Sequence, residues 1–143
     1  TDLSTEMSKL GAKLIIDTLE CIENNNVNFT DQKELDASYA RKIEKSEAKI
    51  SWNVEANKIV AKINALNPNP GCWFELQGGR VKIIKAKEIQ NNGEPGKIIN
   101  NRLTIGCLKN SVQILELKKE GKQKMTAEEF LRGHHIKVGQ KLI

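Results

Sequence analysis

The chain has 143 residues, which suits one ordinary domain or a small domain with an appendage. It has no apolar run long enough to cross a bilayer and no basic stretch followed by an apolar segment, as in a secretory signal. We therefore expect a cytoplasmic protein with no membrane partner. The formal net charge of +5 is uneven: residues 1–66 hold nine Lys/Arg and eleven Asp/Glu, whereas residues 67–143 hold fourteen and seven. The basic second part favours a polyanion partner, with nucleic acid first, and a merely soluble basic surface is the alternative.

The first predicted element is an amphipathic helix from Leu3 to Ile22. Apolar residues recur there at the spacing of one helical face, and the three asparagines at 24–26 should end the helix because Asn tolerates the left-handed conformation. Residues 27–50 are polar and mixed in charge, with few large apolar residues. They predict a linker that runs over a surface, with room for a short helix near 43–49.

A second helix is predicted from Val54 to Leu66, where the two prolines and the glycine of 67–71 must terminate it. The apolar period then changes from 3.6 to about 2, and five short strands predict a small closed or nearly closed β-barrel. A final short helix, Thr126–Leu131, opens with a capping-box pattern. The expected fold class is mainly β with flanking helices, with strands at 72–76, 80–87, 97–100, 103–107 and 112–118.

Two of these strands change phase midway. In 80–87, Val81 and Ile83 share one face, whereas Ile84 and Ala86 fall on the other, and the strand 112–118 shifts in the same way. A β-bulge at each shift would return the apolar residues to one side, and burial on both faces is the alternative. With the bulge, four cations line one outer strip, which we call the basic strip: Arg80, Lys82, Lys85 and Lys87.

The basic strip is a candidate binding surface. Like charges so close together repel, so the fold gains nothing from them, whereas a polyanion would relieve the repulsion and release its own counterions. The alternative is a solvated face rich in lysine. A neighbouring basic cluster strengthens the binding interpretation: Lys118, Lys119, Lys122 and Lys124.

Three cysteines and two histidines complete the reactive residues. Cys21, Cys72 and Cys107 are widely spaced and form no C-x-x-C, so we expect reduced, mostly buried thiols. The adjacent His134 and His135 near the chain end are more typical of a solvated turn than of a metal site.

Four short motifs follow one another along nearly the whole chain. They are Leu10-Gly11-Ala12 with Leu14; Tyr39-Ala40-x-Lys42-Ile43-x-Lys45-x-Glu47-Ala48-x-Ile50-x-Trp52; Asn67-Pro68-x-Pro70-Gly71-x-Trp73; and Gly121-Lys122-x-x-Met125 with Phe130, Leu131 and Gly133. In this order and spacing they resemble the C-terminal portion of the methionyl-tRNA formyltransferase family. The chain departs from the usual family pattern at Asn64, Asn69 and Lys118, where the family usually has Arg and Trp and often has Gln.

The resemblance implies an organisation for the chain. Residues 1–26 would be the terminal helix of a catalytic formyltransferase domain, 27–52 an interdomain linker, and 53–143 a C-terminal domain built on a small OB-like β-barrel that binds tRNA. The family enzyme transfers a formyl group from 10-formyltetrahydrofolate to methionyl initiator tRNA in translation initiation. The expected partners are therefore initiator tRNA and the protein's own N-terminal catalytic domain, in an enzyme that is monomeric at full length.

The family's catalytic Asn, His and Asp belong to that N-terminal domain. We therefore place no catalytic, cofactor-binding or metal residue in this chain, and expect it to be inactive alone. A related formyltransferase or formyltetrahydrofolate hydrolase acting on a small molecule is the alternative, and in it this domain would be structural. The linker cations could extend the basic track or simply pair with Glu44 and Glu47. The expected tRNA-binding residues are Arg41, Lys42, Lys45, Arg80, Lys82, Lys85, Lys87, Lys118, Lys119, Lys122 and Lys124.

Overall fold

A computed structural model describes residues 2–142, and the molecule divides into two compact units, Thr1–Lys42 and Ile43–Ile143. The first unit contains helix α1, Asp2–Glu23, close to its predicted bounds, and a 3-10 helix at Glu34–Asp36. Helix α1 ends where Asn25 takes a left-handed φ of 52°, as its sequence predicts. No described residue of this unit is buried. None of the described helices has the length and apolar character needed to cross a bilayer.

The second unit is mainly β with flanking helices, which confirms the predicted fold class. Two of the helices lie where the sequence predicts them, and the capping box of Thr126 and Glu129 is present at the start of the last one. The elements in chain order are a 3-10 helix Lys45–Ala48, α2 Ala56–Leu66, β1 Trp73–Leu76, β2 Gly79–Ile89, β3 Ile98–Asn100, β4 Thr104–Gly106, β5 Ser111–Lys119, β6 Lys124–Thr126 and α3 Ala127–Gly133.

The strands form one antiparallel sheet of six strands rather than a closed barrel. Its order is β1-β2-β5-β4-β3, with β6 paired to β5, and the end strands β1 and β3 do not pair within residues 2–142. Other segments occupy the free edges of both strands. The amide of Ile50 donates to the carbonyl of Trp73 in β1 at 2.8 Å, and the amide of Ile98 in β3 donates to Gln140 at 3.0 Å. Of the two forms predicted, closed or nearly closed, the closed barrel is therefore wrong, because these segments take the hydrogen bonds that closure would need.

The predicted bulges are present. Val81, Ile83 and Ala86 are buried and Ile84 is half-buried, and the register with β5 shifts on either side of Lys85. The partner strand β5 shifts at the same level: Val112, Ile114 and Leu117 are buried, and Leu115 is half-buried. The two shifts return Ala86 in β2 and Leu117 in β5 to the core side, whereas Ile84 and Leu115 lie at the bulges and do not join the core, contrary to the expectation that all the apolar residues would share one side.

The core lies between α2, α3 and the inner face of the sheet. Ile59 and Ile63 bring α2 against the sheet, and the rings of Trp52 and Phe74 meet edge to face with centroids 6.0 Å apart. The end of the predicted linker region also belongs to this core, since Ala48, Ile50 and Trp52 are 1%, 3% and 5% exposed. Their alternate spacing follows from the extended backbone that pairs with β1.

The thiols and histidines occupy different environments. Cys72 and Cys107 are buried, Cys21 is exposed, and all three are free. The ring of His134 is half-buried and stacks on Phe130 with centroids 4.1 Å apart, whereas His135 is exposed. The solvated-turn interpretation therefore does not fit His134, whose ring packs against α3. Within residues 2–142, no group of His, Cys, Asp and Glu side chains could hold a metal ion.

Candidate nucleic-acid interface

The basic strip lies on the outer face of β2. Arg80, Lys82, Lys85 and Lys87 are all exposed, and the residues between them carry the buried side of the strand. The bulge produces this arrangement, because without the register shift Lys85 and Lys87 would face the core. The phase of the apolar residues thus decides where the cations lie.

A second line of cations crosses the sheet at right angles to the basic strip. Lys82 lies directly across from Lys118, which in turn lies across from Lys124; we call these three residues the basic row. Like charges directly opposite each other destabilise a sheet. Lys124 is compensated by Glu116, with Nζ and the carboxylate oxygen 2.9 Å apart. Among the described residues Lys118 has no such ion-pair partner, so excess positive charge remains at the centre of the row.

Beside the basic row lies a shallow groove of about 470 Å³. Five of its twelve lining residues are basic and one is acidic. Trp73 is one of these lining residues and pairs with Lys82 in the register of β1 and β2, so we call this groove the Trp73 groove. Its lining residues are Lys45, Ala48, Asn69, Pro70, Gly71, Trp73, Arg80, Lys82, Lys118, Lys119, Glu120 and Gly121.

One wall of the groove is a turn that Lys82 holds in place. The Lys82 ammonium donates to the carbonyl oxygen of Pro70 at 2.9 Å. Gly71 follows with a φ of 79°, and a Cβ there would lie 3.2 Å from the Pro68 carbonyl oxygen. A larger residue would therefore be strained in conformation and crowded in space.

Trp73 and Arg80 form a stacked pair in this groove. The Arg80 guanidinium lies over the indole, 4.4 Å from the ring centroid, and the Lys49 ammonium lies 5.5 Å from the same centroid. The indole N–H donates to the Lys45 carbonyl at 3.4 Å. Glu75 lies across from Arg80 in the strand register, yet its carboxylate pairs with Lys49 at 2.9 Å. The hydrogen bond from Lys49 is the main reason that the pKa of Glu75 is lowered, and the positive charge of Arg80 contributes less.

The other predicted site residues are spread more widely. Lys45 lines the Trp73 groove, and Lys122 lies in the turn between β5 and β6. Lys119 turns away from its neighbour in the basic row, since its ammonium lies 3.4 Å from His134 Nε2. Arg41 and Lys42 belong to the first unit, where a guanidinium nitrogen of Arg41 donates to the Lys42 carbonyl at 3.3 Å. The structure thus brings together five predicted residues around the Trp73 groove, and Lys85 and Lys87 continue along β2; the five are Lys45, Arg80, Lys82, Lys118 and Lys119.

Trp73 is the residue of this surface that the sequence interpretation missed. A signal for it exists in the hairpin of β1 and β2, whose two-residue turn has positive φ at both Gln77 and Gly78. Such a turn fixes the register of both strands. Counting residues back along β1 from this turn places Trp73 across from Lys82 and diagonally opposite Arg80.

These features define a small mainly-β domain with a basic outer face. The chain belongs to the formyl transferase family: residues 42–135 match the family model described as formyl transferase, C-terminal domain. Curated relatives named methionyl-tRNA formyltransferase match nearly the whole chain. The protein from Bradyrhizobium diazoefficiens is 38% identical over 144 residues, 98% of this chain and 46% of its own length. The protein from Pelagibacter ubique is 38% identical over 141 residues, with 98% and 46% covered. The chain thus spans about half the length of these relatives.

Solved structures share the fold. HypX from Aquifex aeolicus, in a variant with six substitutions, matches with a TM-score of 0.67 at 22% identity, covering 90% of this chain and 24% of that one. HypX in complex with tetrahydrofolic acid matches with a TM-score of 0.65 at 22% identity, covering 83% and 22%. At 22% sequence identity, the similarity to these structures shows that the fold is shared.

Proposed function

We propose that the chain is the tRNA-docking, C-terminal part of an enzyme that formylates the methionyl group of initiator methionyl-tRNA in translation initiation. The observation that carries the proposal is the basic strip together with the basic row, where cations face each other across strands with incomplete compensation. Lys and Arg in such an array contact phosphates and fix the orientation of an RNA without reading its bases. The names of the relatives support the choice of tRNA over other polyanions.

Catalysis would depend on a domain outside this chain. The two histidines lie at the end of the β unit, and the ring nitrogens of His134 face the Phe130 carbonyl at 3.0 Å and the Lys119 ammonium at 3.4 Å. In this proposal an N-terminal domain binds 10-formyltetrahydrofolate and transfers the formyl group, while the present chain holds the tRNA so that its aminoacyl end reaches that domain. The chain alone should then give no formyl transfer.

The test is the salt dependence of tRNA binding by the 143-residue chain. Replacing Lys82, Lys85 and Lys87 together with Ala should weaken binding of an initiator tRNA transcript and reduce the slope of log affinity against log salt by about 1 for each lost phosphate contact. A matched control removes three exposed lysines that do not line the Trp73 groove: Lys58, Lys109 and Lys137. We expect little change in affinity from this control beyond a small loss of net charge.

Thermal denaturation separates binding from folding. The melting temperature of the triple variant should stay close to that of the parent, because exposed lysines contribute little to stability. Since Lys82 also holds the Pro70 carbonyl, a second variant replaces Lys85 and Lys87 alone and leaves that hydrogen bond in place. Affinity that is flat from low to physiological salt would contradict the proposal and favour a small-molecule formyltransferase or formyltetrahydrofolate hydrolase.

A further inference from the structure

We propose that the Trp73 groove is a phosphate anchor within the interface, in which Arg80 contacts one phosphodiester of the RNA backbone and Trp73 is the residue that positions it. The inference rests on the proposed function and assigns it a specific site. Three observations carry it: Arg80 has no ion pair among the described residues, the Trp73 ring lies against its guanidinium, and four further cations line the same groove.

Arg80 is held for a ligand rather than for a protein partner. Its cross-strand neighbour Glu75 is the obvious carboxylate for an ion pair, but Lys49 takes that carboxylate at 2.9 Å. Among residues 2–142, Arg80 forms no ion pair, and its guanidinium lies instead against the indole of Trp73. A stacked guanidinium keeps its N–H edges available, and these edges match the paired oxygens of a phosphate.

Trp73 is itself fixed from several directions. Its strand pairs with β2, and its carbonyl oxygen accepts a hydrogen bond from the Ile50 amide at 2.8 Å. Its indole N–H donates to the Lys45 carbonyl at 3.4 Å. A ring held in this way limits the orientations of the arginine above it, so less side-chain entropy is lost when a phosphate binds.

The remaining cations of the groove complete the anchor. Lys82 and Lys118 lie side by side across β2 and β5, and Lys82 is tied to the Pro70 carbonyl, which keeps its ammonium at the groove wall. Glu120 is the single acidic residue of the lining, against five basic ones. The electrostatic balance therefore favours a bound anion, and a stacked arginine beside two lysines suits a phosphodiester, whose single negative charge is shared by two non-bridging oxygens.

A double-mutant cycle on the 143-residue chain tests whether Trp73 acts through Arg80. Arg80→Ala should weaken binding of an initiator tRNA transcript about tenfold, as expected for a lost charged hydrogen bond. Trp73→Leu should weaken it about fivefold, because the guanidinium keeps its charge but loses its platform. The double variant should bind like Arg80→Ala alone, and Trp73→Phe should restore most of the loss. Arg80→Lys should not restore binding, since lysine lacks the planar fork.

Two controls test whether the coupling is confined to the groove and whether the ligand is RNA. Lys87→Ala, which lies on the basic strip but outside the groove lining, should combine additively with Trp73→Leu. Adenosine 5′-monophosphate, as a source of free phosphate, should compete with tRNA only at concentrations orders of magnitude higher. If adenosine monophosphate binds as tightly as tRNA in a Trp73-dependent way, the site takes a free nucleotide and the RNA anchor is wrong.

The results also separate this inference from the proposed function. If the chain binds tRNA with a steep salt dependence but Trp73→Leu and Arg80→Ala add, or Trp73→Leu has no effect, only the anchor is overturned. If the unaltered chain fails to bind tRNA at low salt, both are overturned. A loss of melting temperature in both Trp73→Leu and Trp73→Phe, with no recovery of binding in Trp73→Phe, would show that the indole acts in folding and would also overturn the positioning role.

Discussion

Helices α1 and α2 are both amphipathic, yet they have opposite environments. In α2, Ala56, Ile59 and Ile63 are at most 2% exposed, whereas in α1 Leu10, Leu14 and Leu19 are between 54% and 59% exposed. The apolar stripe of α2 is covered by the sheet, whereas no described residue of the first unit is buried. The same sequence pattern thus predicts the helix equally well in both units but does not say what covers its apolar face.

The three cysteines give the largest difference that we expect between the two units. Burial raises the pKa of Cys107 to about 11, and burial also raises the pKa of Cys72, with Lys62 opposing it. At pH 8 roughly one part in a thousand of the Cys107 thiol is then the reactive thiolate. We expect one thiol per chain, Cys21, to react rapidly with Ellman's reagent, and all three to react in denaturant.

The rate at which the buried Cys107 thiol is labelled should rise with pH. Between pH 8 and pH 10 the solution stays below the pKa of Cys107. The thiolate fraction of Cys107, and the labelling rate with it, should therefore increase about tenfold per pH unit. A Cys21→Ala variant should abolish the rapid phase. Rapid labelling of two or three thiols in the native chain would show that the second unit opens easily, which contradicts its burial.

Two phenylalanines test the contrast in stability. Phe74 is fully buried against Trp52, whereas Phe29 in the first unit is 83% exposed. Phe74→Ala should lower the free energy of unfolding by about 3–5 kcal/mol, because it leaves a cavity in the core. Phe29→Ala should change it by less than about 0.5 kcal/mol. Urea denaturation followed by tryptophan fluorescence measures both, since Trp52 and Trp73 both report on the second unit. Equal losses of unfolding free energy in Phe74→Ala and Phe29→Ala would contradict the difference in burial between the two units.

Two glycines should respond in opposite directions. A Cβ at Gly106 would lie 2.4 Å from the Glu94 carbonyl oxygen and 2.7 Å from the Gly93 carbonyl carbon, so the backbone would have to move. Gly106→Ala should therefore destabilise the second unit by about 1–3 kcal/mol, measured by the same denaturation. Gly11 in α1 has nothing within 4 Å of its Cβ position. Gly11→Ala should raise the helix content measured by circular dichroism, because Ala favours a helix interior by about 1 kcal/mol over Gly. A stable Gly106→Ala variant would contradict the close backbone approach.

Much of the fold follows from the local pattern of the sequence. The apolar spacing predicts both long helices, and the phase change at Ile84 predicts a bulge that a simple alternation would miss. Strand β6 was not predicted, because it has only three residues and a single apolar one, Met125, which packs against the core while the strand pairs with β5. The sheet does not close into a barrel for a related reason: the edges of β1 and β3 are occupied by segments distant in sequence, near Ile50 and Gln140.

Part of the candidate site could likewise be predicted from the local sequence pattern, and part could not. The basic strip could be predicted, because the side chains of one strand follow from its phase alone. The basic row and the stack of Trp73 on Arg80 need the pairing of different strands, which the sequence specifies only where a tight turn sets the register. Lys119 shows the limit, since its contact with His134 depends on where α3 ends. The assignment of these residues to tRNA stays a prediction until binding is measured.

The smallest expected effect concerns the start of α3. Thr126 Oγ accepts a hydrogen bond from the Glu129 amide at 3.2 Å, and the Glu129 carboxylate accepts one from the Thr126 amide at 2.7 Å. Thr126→Ala should lower the free energy of unfolding by about 1 kcal/mol at pH 7, measured by urea denaturation. The helix also carries the buried Phe130, so the cap affects the core as well as the helix end.

The pH dependence of this loss separates the two hydrogen bonds of the Thr126 hydroxyl. The hydrogen bonds from Thr126 lower the pKa of Glu129 below its ordinary value of 4.5. A carboxyl whose pKa is lower in the folded state stabilises the fold above its unfolded pKa, and this contribution is lost as the pH falls through the folded pKa. Thr126→Ala keeps the backbone amide, which is the larger cause of the lowered pKa, and loses only the hydroxyl bond to the carboxylate, so the difference from the parent should shrink in part below about pH 4. Glu129→Gln, which retains an acceptor but no charge, should lose stability at pH 7 and little more in acid. A Thr126→Ala deficit that is constant from pH 7 to pH 3 would mean that the hydroxyl bond to the Glu129 carboxylate contributes nothing, and that the bond from the Glu129 amide to Thr126 Oγ, which does not titrate, carries the cap.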